Sequence, residues 1–255
     1  MSDVIPSGAT PDSDYLFERM TQRTLDLADS RPGRRVLDVA SGVGQDVIAL
    51  AARGGTAVGA EPSQRMTGLA QLVAEQRSGP LPLWVRSWSD ALPFASESFD
   101  GVICKGALDH FDRPEDAIAE MARVTRTSGH VVLAIANFDS LACRAGRAQD
   151  ALRRDLLGRA PLRGRRGYDA PSDHFTRYEL GLMREQAERH LRLEVVEGIS
   201  LGWGMPGWSR AVAGLPASLA TLALRSLDWL ARRAPTLADV VVLAGRPRRA
   251  ESVPA

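Results

Sequence analysis

The run Arg35-Val-Leu-Asp-Val39 passes directly into Ala40-Ser-Gly-Val-Gly44, and a helical pattern follows over residues 46–53. A short apolar strand, a turn with two glycines and a helix start leave few folds open. Gly42 and Gly44 allow positive φ and let the backbone approach a ligand closely. The helix that follows aims its N-terminus at the same place. Open parallel sheets bind their ligands there, at the carboxyl ends of the strands.

The alternation continues along the chain. Residues 56–60, 81–86, 100–104 and 130–136 read as further strands, with helices over 15–30, 64–76 and 114–124. Residues 137–189 carry no strand-like run and many arginines; 191–196 and 238–244 read as the last strands, with a helical insertion over 202–235 that holds Trp203, Trp208 and Trp229. The expected fold class is α/β, a doubly wound, seven-stranded, mostly parallel sheet of Rossmann-like type with helical insertions covering the active site. The expected organisation is a tail and helix at 1–32, a cofactor core at 33–136, a helical lid at 137–190, C-terminal strands with their insertion at 191–246 and a flexible tail at 247–255.

Composition narrows the partners. A net charge of +1 over 255 residues provides no global field for a nucleic acid. Two cysteines, Cys104 and Cys143, are too few for a disulfide framework or a zinc cluster, so the expectation is a reducing cytoplasm and no metal. Residues 1–13 are polar and lack the apolar run of a secretory signal, and no stretch of about 20 apolar residues predicts a membrane span. The expected partner is a small-molecule substrate, without nucleic acid or stable membrane insertion; a homodimer is compatible.

A Gly-x-Gly turn alone also fits a dinucleotide. That fingerprint wants Gly or Ala at the position of Val47, so the departure argues against a pyrophosphate and an NAD-type dehydrogenase. Glu61 ends the second strand, where a carboxylate accepts hydrogen bonds from both ribose hydroxyls; a solvated loop acid is the bland alternative. Asp38 lies inside an apolar strand and needs a partner, either as an anchor of the loop or as a carboxylate facing a positively charged ligand.

Taken together, Val36-Leu-Asp-Val-Ala-Ser-Gly-Val-Gly44, Glu61-Pro-Ser-Gln-Arg-Met66, Ala91-Leu-Pro-Phe94 with Ser98-Phe-Asp100, and Arg123-Val-Thr-Arg-Thr-Ser-Gly129 resemble the motifs of class I S-adenosylmethionine (SAM)-dependent methyltransferases of the small-molecule type, which includes quinone-methylating enzymes. The resemblance covers residues 33–136. It implies SAM as cofactor, held by Asp38, Ala40, Ser41, Gly42, Gly44, Glu61, Pro62 and Met66. Ala40 and Ser41 replace more usual residues. Where the family often has an acid for the adenine amino group, Trp88 stands instead; it either borders the adenine, with the Ser89 backbone reaching the ring and Asp90 as a substitute acid, or belongs to the core. Lys105 follows the fourth strand where the family's chain passes the methionine moiety; its backbone faces SAM, whether its side chain is solvated or ion-paired.

In methyl transfer the protein mainly aligns the reactants, and a base is needed only when the nucleophile carries a proton. His110, just past the fourth strand, is a candidate base, with a capping or core histidine as the alternative. His174, in His-Phe-Thr-Arg-Tyr178, is a second candidate, within a stretch resembling the one that opens a helix over the family's active site; Thr176 with Glu179 predicts a capping box there. The arginines of 144–166 read as a basic patch or a solvated helix face, and the Trp-bearing segment as a pocket wall, a dimer seam, a membrane contact or a packed helix pair. The function expected is methylation of a small apolar or aromatic acceptor. The alternative is a non-catalytic SAM-binding sensor or assembly subunit.

Overall fold

The structure is a computed structural model that describes residues 10–158, 168–169, 171–172 and 174–249. Seven strands form one sheet: β1 (Arg35–Val39), β2 (Thr56–Ala60), β3 (Leu83–Val85), β4 (Phe99–Lys105), β5 (Thr125–Ala136), β6 (Leu191–Ile199) and β7 (Val240–Pro247). Their order is β3-β2-β1-β4-β5-β7-β6. The five strands from β3 to β5 run parallel; β7 is antiparallel to both neighbours. The doubly wound, mostly parallel sheet expected from the alternation is present.

Helices cover both faces. The core on one face includes Leu16, Met20 and Leu25 of α1 (Pro11–Leu27) and Val47, Leu50 and Ala51 of α2 (Gln45–Ala52). The opposite core takes Ile118 and Met121 of α4 (Pro114–Val124) and Met183 and Ala187 of α6 (Leu180–His190). Between them in sequence lie α3 (Gln64–Glu75) and α5 (Leu141–Asp155). The strands of the middle read as almost unbroken apolar runs because helices bury both of their faces.

Local contacts explain two of the motifs. In the Leu-Pro-Phe stretch, Arg123 donates to the carbonyls of Leu92 (3.0 Å) and Phe94 (2.8 Å), while Leu92 N–H donates to Glu120 (3.0 Å). Phe94 meets Phe99 edge-on with ring centres 4.9 Å apart. In the other motif, a Cβ on Gly129 would stand 2.5 Å from the Asp100 carbonyl oxygen, so only glycine lets the two chains approach.

Several expectations need correction. Pro11 to Ser13 start α1 rather than belonging to a loose tail. β5 opens at Thr125 rather than at the expected His130: Thr125 pairs with Phe99 of β4 and His130 with Gly101, across a register shift. Thr176 caps no helix: α6 begins at Leu180 after Glu179. Residues before it are held extended, with Phe175 and Thr176 N–H donating to the Asp109 carbonyl and Tyr178 buried in the core. The basic stretch 159–166 lies outside the described residues; before it, Arg144 and Arg147 both pair with Asp139.

The N-terminal helix is joined to the C-terminal insertion, which comprises α7 (Trp208–Ala213) and α8 (Ala217–Arg233). Arg23 makes two hydrogen bonds to Glu197 of β6, Trp203 Nε1 donates to Ser13, and Ser209 donates to Asp12.

Candidate active site

The sheet order reverses between β1 and β4, and the cleft outside their carboxyl ends is where such sheets hold ligands. The glycine loop closes this end of β1. Ala40, Gly42 and Gly44 all have left-handed φ, of 59°, 53° and 75°. Ser41 N–H donates to the Ala60 carbonyl, and Gly44 N–H to that of Ser41. Gly44 also has no room for a side chain, because a Cβ there would lie 2.2 Å from the Trp84 indole; Gly59 meets the same ring at 2.7 Å. Trp84, which the sequence does not single out, thus shapes the floor under the loop.

Glu61 is buried at the tip of β2 and accepts from Gly42 N–H (3.0 Å) and Ser63 N–H (2.9 Å). Each carboxylate oxygen keeps a second lone pair for a ligand hydroxyl. Ser63 caps α3 by accepting from Met66 N–H, so Pro62 and Met66 lie on the turn and first helical turn that follow Glu61. Trp88 is not a core residue: it is 70% exposed, on the loop beyond β3 with Ser89. Asp90 is engaged with Arg113.

Lys105 ends β4 as an ion pair: its Nζ donates to Thr21 of α1 (2.6 Å) and to Asp46 of α2 (2.8 Å). Asp38 is buried beneath them. Burial and then the Asp46 charge hold its carboxyl well above the usual range, with Lys105 opposing. Thr21 and Asp46 were invisible as site residues because helix periodicity accounts for both.

Beyond Lys105 the chain makes one 3-10 turn, Leu108–His110. Asp109 points inward, buried, and its Oδ2 lies 2.8 Å from His174 Nδ1. The His110 and His174 rings meet edge-on at 4.4 Å, and Phe138 meets His174 edge-on at 6.1 Å. The two histidines, 64 residues apart, are therefore brought together, and both are tied to the neighbourhood of Asp109. Donor atoms of Asp109, His110 and His174 lie within 4.8 Å of one another, a set that could hold a metal ion.

A family model for a methyltransferase domain matches residues 37–133. A demethylmenaquinone methyltransferase of Mycobacterium sp. (strain KMS) is 30% identical over 206 residues, covering 80% of this chain and 81% of that one. One from Renibacterium salmoninarum is 34% identical over 133 residues, covering 52% and 51%. The chain spans about half the length of the first curated relatives it matches. Among solved structures, magnesium protoporphyrin IX methyltransferase from Synechocystis PCC 6803, with bound SAH, superposes with a TM-score of 0.59 at 17% identity, covering 93% of this chain and 86% of that one, which is a likeness of fold.

The residues present fit the cofactor of that family. An acid follows β2 beside two left-handed glycines, open space lies over Gly42, and two further acids, Asp38 and Asp46, lie near the end of β4 with Lys105. The chain belongs to the class I SAM-dependent methyltransferases, with SAM as its cofactor.

Proposed function

We propose that this protein transfers a methyl group from SAM to a small aromatic acceptor that carries an ionisable hydroxyl, of the quinol or phenol class. The Asp109–His174 contact, just past the carboxyl end of β4, is the observation that carries this reading. An acceptor with no proton to lose has no need of such a pair. Two relatives named as demethylmenaquinone methyltransferases support the quinol class.

When bound, SAM supplies an electrophilic methyl carbon on its sulfonium. The protein's own tasks are alignment and proton removal. Glu61 accepts the ribose hydroxyls, and the loop from Ala40 to Gly44 carries the backbone against the cofactor. Pro62, Met66, Trp88 and Ser89 border the adenine. Asp38 and Lys105 face the methionine end. Asp109 lies 2.8 Å from His174 at Nδ1, which leaves Nε2 to take the acceptor's proton. His110, stacked edge-on against His174, flanks the acceptor. In this reading residues 33–136 hold the cofactor and the described residues between 137 and 190 cover the acceptor.

The place of action proposed is the cytoplasm, without a nucleic-acid partner. A net charge of +1, the thiols of Cys104 and Cys143, which form no disulfide, and the absence among the described residues of a helix long and apolar enough to cross a membrane support it.

The test is SAH formation by the purified chain with a panel of phenols and reduced quinones, alongside titration calorimetry with SAM. Turnover confined to hydroxylated aromatics is expected. SAM binding with no turnover on any of them would overturn the catalytic reading in favour of a sensor.

A further inference from the structure

The face of α8 that looks away from the protein is apolar. Its inner face buries Ala220, Leu224, Asp228 and Ala231. Leu219, Leu222, Trp229 and Leu230 stand on the other side, 45–62% exposed, and Leu215 continues the patch on the turn before the helix. Their spacing keeps them on one stripe of the helix. Monomeric proteins rarely leave so many large apolar side chains together in water without a use.

Charge selects the occupant. Residues 202–237 contain Arg210, Arg225, Arg232 and Arg233 and one acid, Asp228. That acid is buried and already paired with Arg19 and Arg232. The segment therefore shows arginines and apolar groups to solvent and no carboxylate. Arg233 lies over the Trp229 ring at 3.6 Å, an indole and a cation placed together at the edge of the apolar stripe. A two-fold contact between copies would set this patch against itself and bring its arginines together with no acid between them. An anionic lipid surface meets both demands at once: acyl chains for the leucines and Trp229, headgroup phosphates for the arginines.

We infer that α8 is a peripheral docking face for anionic phospholipid bilayers. It adsorbs in the plane of the interface and does not insert across it. The insertion leaves the sheet at Ile199 and returns at Val240, which pair with each other at the end of the sheet where β5 finishes at Ala136. The inference rests on this face alone and does not depend on the nature of the methyl acceptor.

The experiment is cosedimentation of the full chain with vesicles of pure phosphatidylcholine and of phosphatidylcholine with phosphatidylglycerol. Binding to the anionic vesicles only, weakened by salt, is expected. Replacing Leu222 and Trp229 together by Ser, or Arg225 and Arg233 together by Glu, should each weaken partitioning by about tenfold or more. Both pairs are exposed, and an unchanged thermal midpoint shows that the fold survives. Sedimentation velocity is run in parallel. Equal binding to both vesicle types, or none to either, overturns the proposal. A dimer that the Leu222 and Trp229 replacements dissolve would assign the face to a second copy. No vesicle binding from a stable monomer would assign it to an acidic protein partner instead.

Discussion

Asp109 Oδ2 faces His174 Nδ1 across 2.8 Å, although the two residues belong to segments on opposite sides of β5 in the sequence. Phe175 and Thr176 N–H both donate to the Asp109 carbonyl, so backbone as well as side chain brings the histidine to the end of β4. His174→Ala should lower kcat by about 100-fold or more and leave the SAM dissociation constant within about twofold. Asp109→Asn keeps the shape and should lower kcat by about tenfold or more with KM for the acceptor little changed. SAH release at saturating acceptor checks both. Full activity in His174→Ala sinks the assignment.

The same three side chains have donor spacing compatible with a metal ion. A base needs His174 Nε2 free, so methyl transfer should be unchanged after dialysis against EDTA, and metal analysis of the active protein should find less than stoichiometric ion. A loss of turnover restored by a divalent ion would make Asp109, His110 and His174 a coordination site.

Glu61 joins the cofactor loop to β2 through Gly42 N–H and Ser63 N–H. Glu61→Gln keeps one acceptor oxygen and loses the charge. SAM affinity by calorimetry should fall by about 10- to 100-fold, since hydrogen bonds to a charged group are worth about 1.5–3 kcal/mol. Unaltered affinity would return Glu61 to a purely structural role.

Lys105 offsets part of the negative charge on Asp38 and Asp46. Lys105→Met should destabilise the fold by about 3 kcal/mol at neutral pH. The sign with pH follows from Asp38, whose folded pKa is already above its unfolded value. Stability linked to it is complete below the unfolded pKa and is lost as pH rises through the folded one. Without Lys105 that folded pKa moves higher still. The deficit of the variant should therefore be larger at pH 8 than at pH 5, read from denaturant midpoints.

Asp239 is buried immediately before β7 and accepts from Trp203 N–H (2.9 Å); burial pushes its carboxyl up to about 6. Its linked stability is present below the unfolded carboxylate pKa and lost as pH rises toward and past 6. Asp239→Asn keeps the acceptor and removes the titration. The variant should gain on the parent by up to about 3 kcal/mol between pH 4 and pH 7. A pH-independent difference between the two proteins would contradict this.

Much of the sheet is legible along the chain because each strand of the middle is a local apolar run bounded by glycine or by a helix pattern. β1 and β2 lie where the alternation puts them, at 35–39 and 56–60. β5 is longer than its apolar stretch, since it opens at Thr125, whose pairing with Phe99 across a register shift no side-chain pattern marks. Thr176 satisfied a capping pattern and still caps nothing, because the burial of Tyr178 and two hydrogen bonds to Asp109 hold that segment extended. Local rules lost there to tertiary contacts.

The sequence by itself determined the class of sheet, the glycine turn after β1 and the acid after β2, for all of these are set by residues near one another in the chain: a strand, its turn and the helix behind it. Only the tertiary structure decided which histidine has a carboxylate against it, that Lys105 is tied to Thr21 and Asp46, that Trp84 and not Trp88 lies packed under the glycines, and that α8 turns a row of leucines to solvent. Those facts depend on where distant segments meet. Periodicity reports which face of a helix is apolar, but the neighbour that covers it, or its absence, exists only once the whole chain has packed.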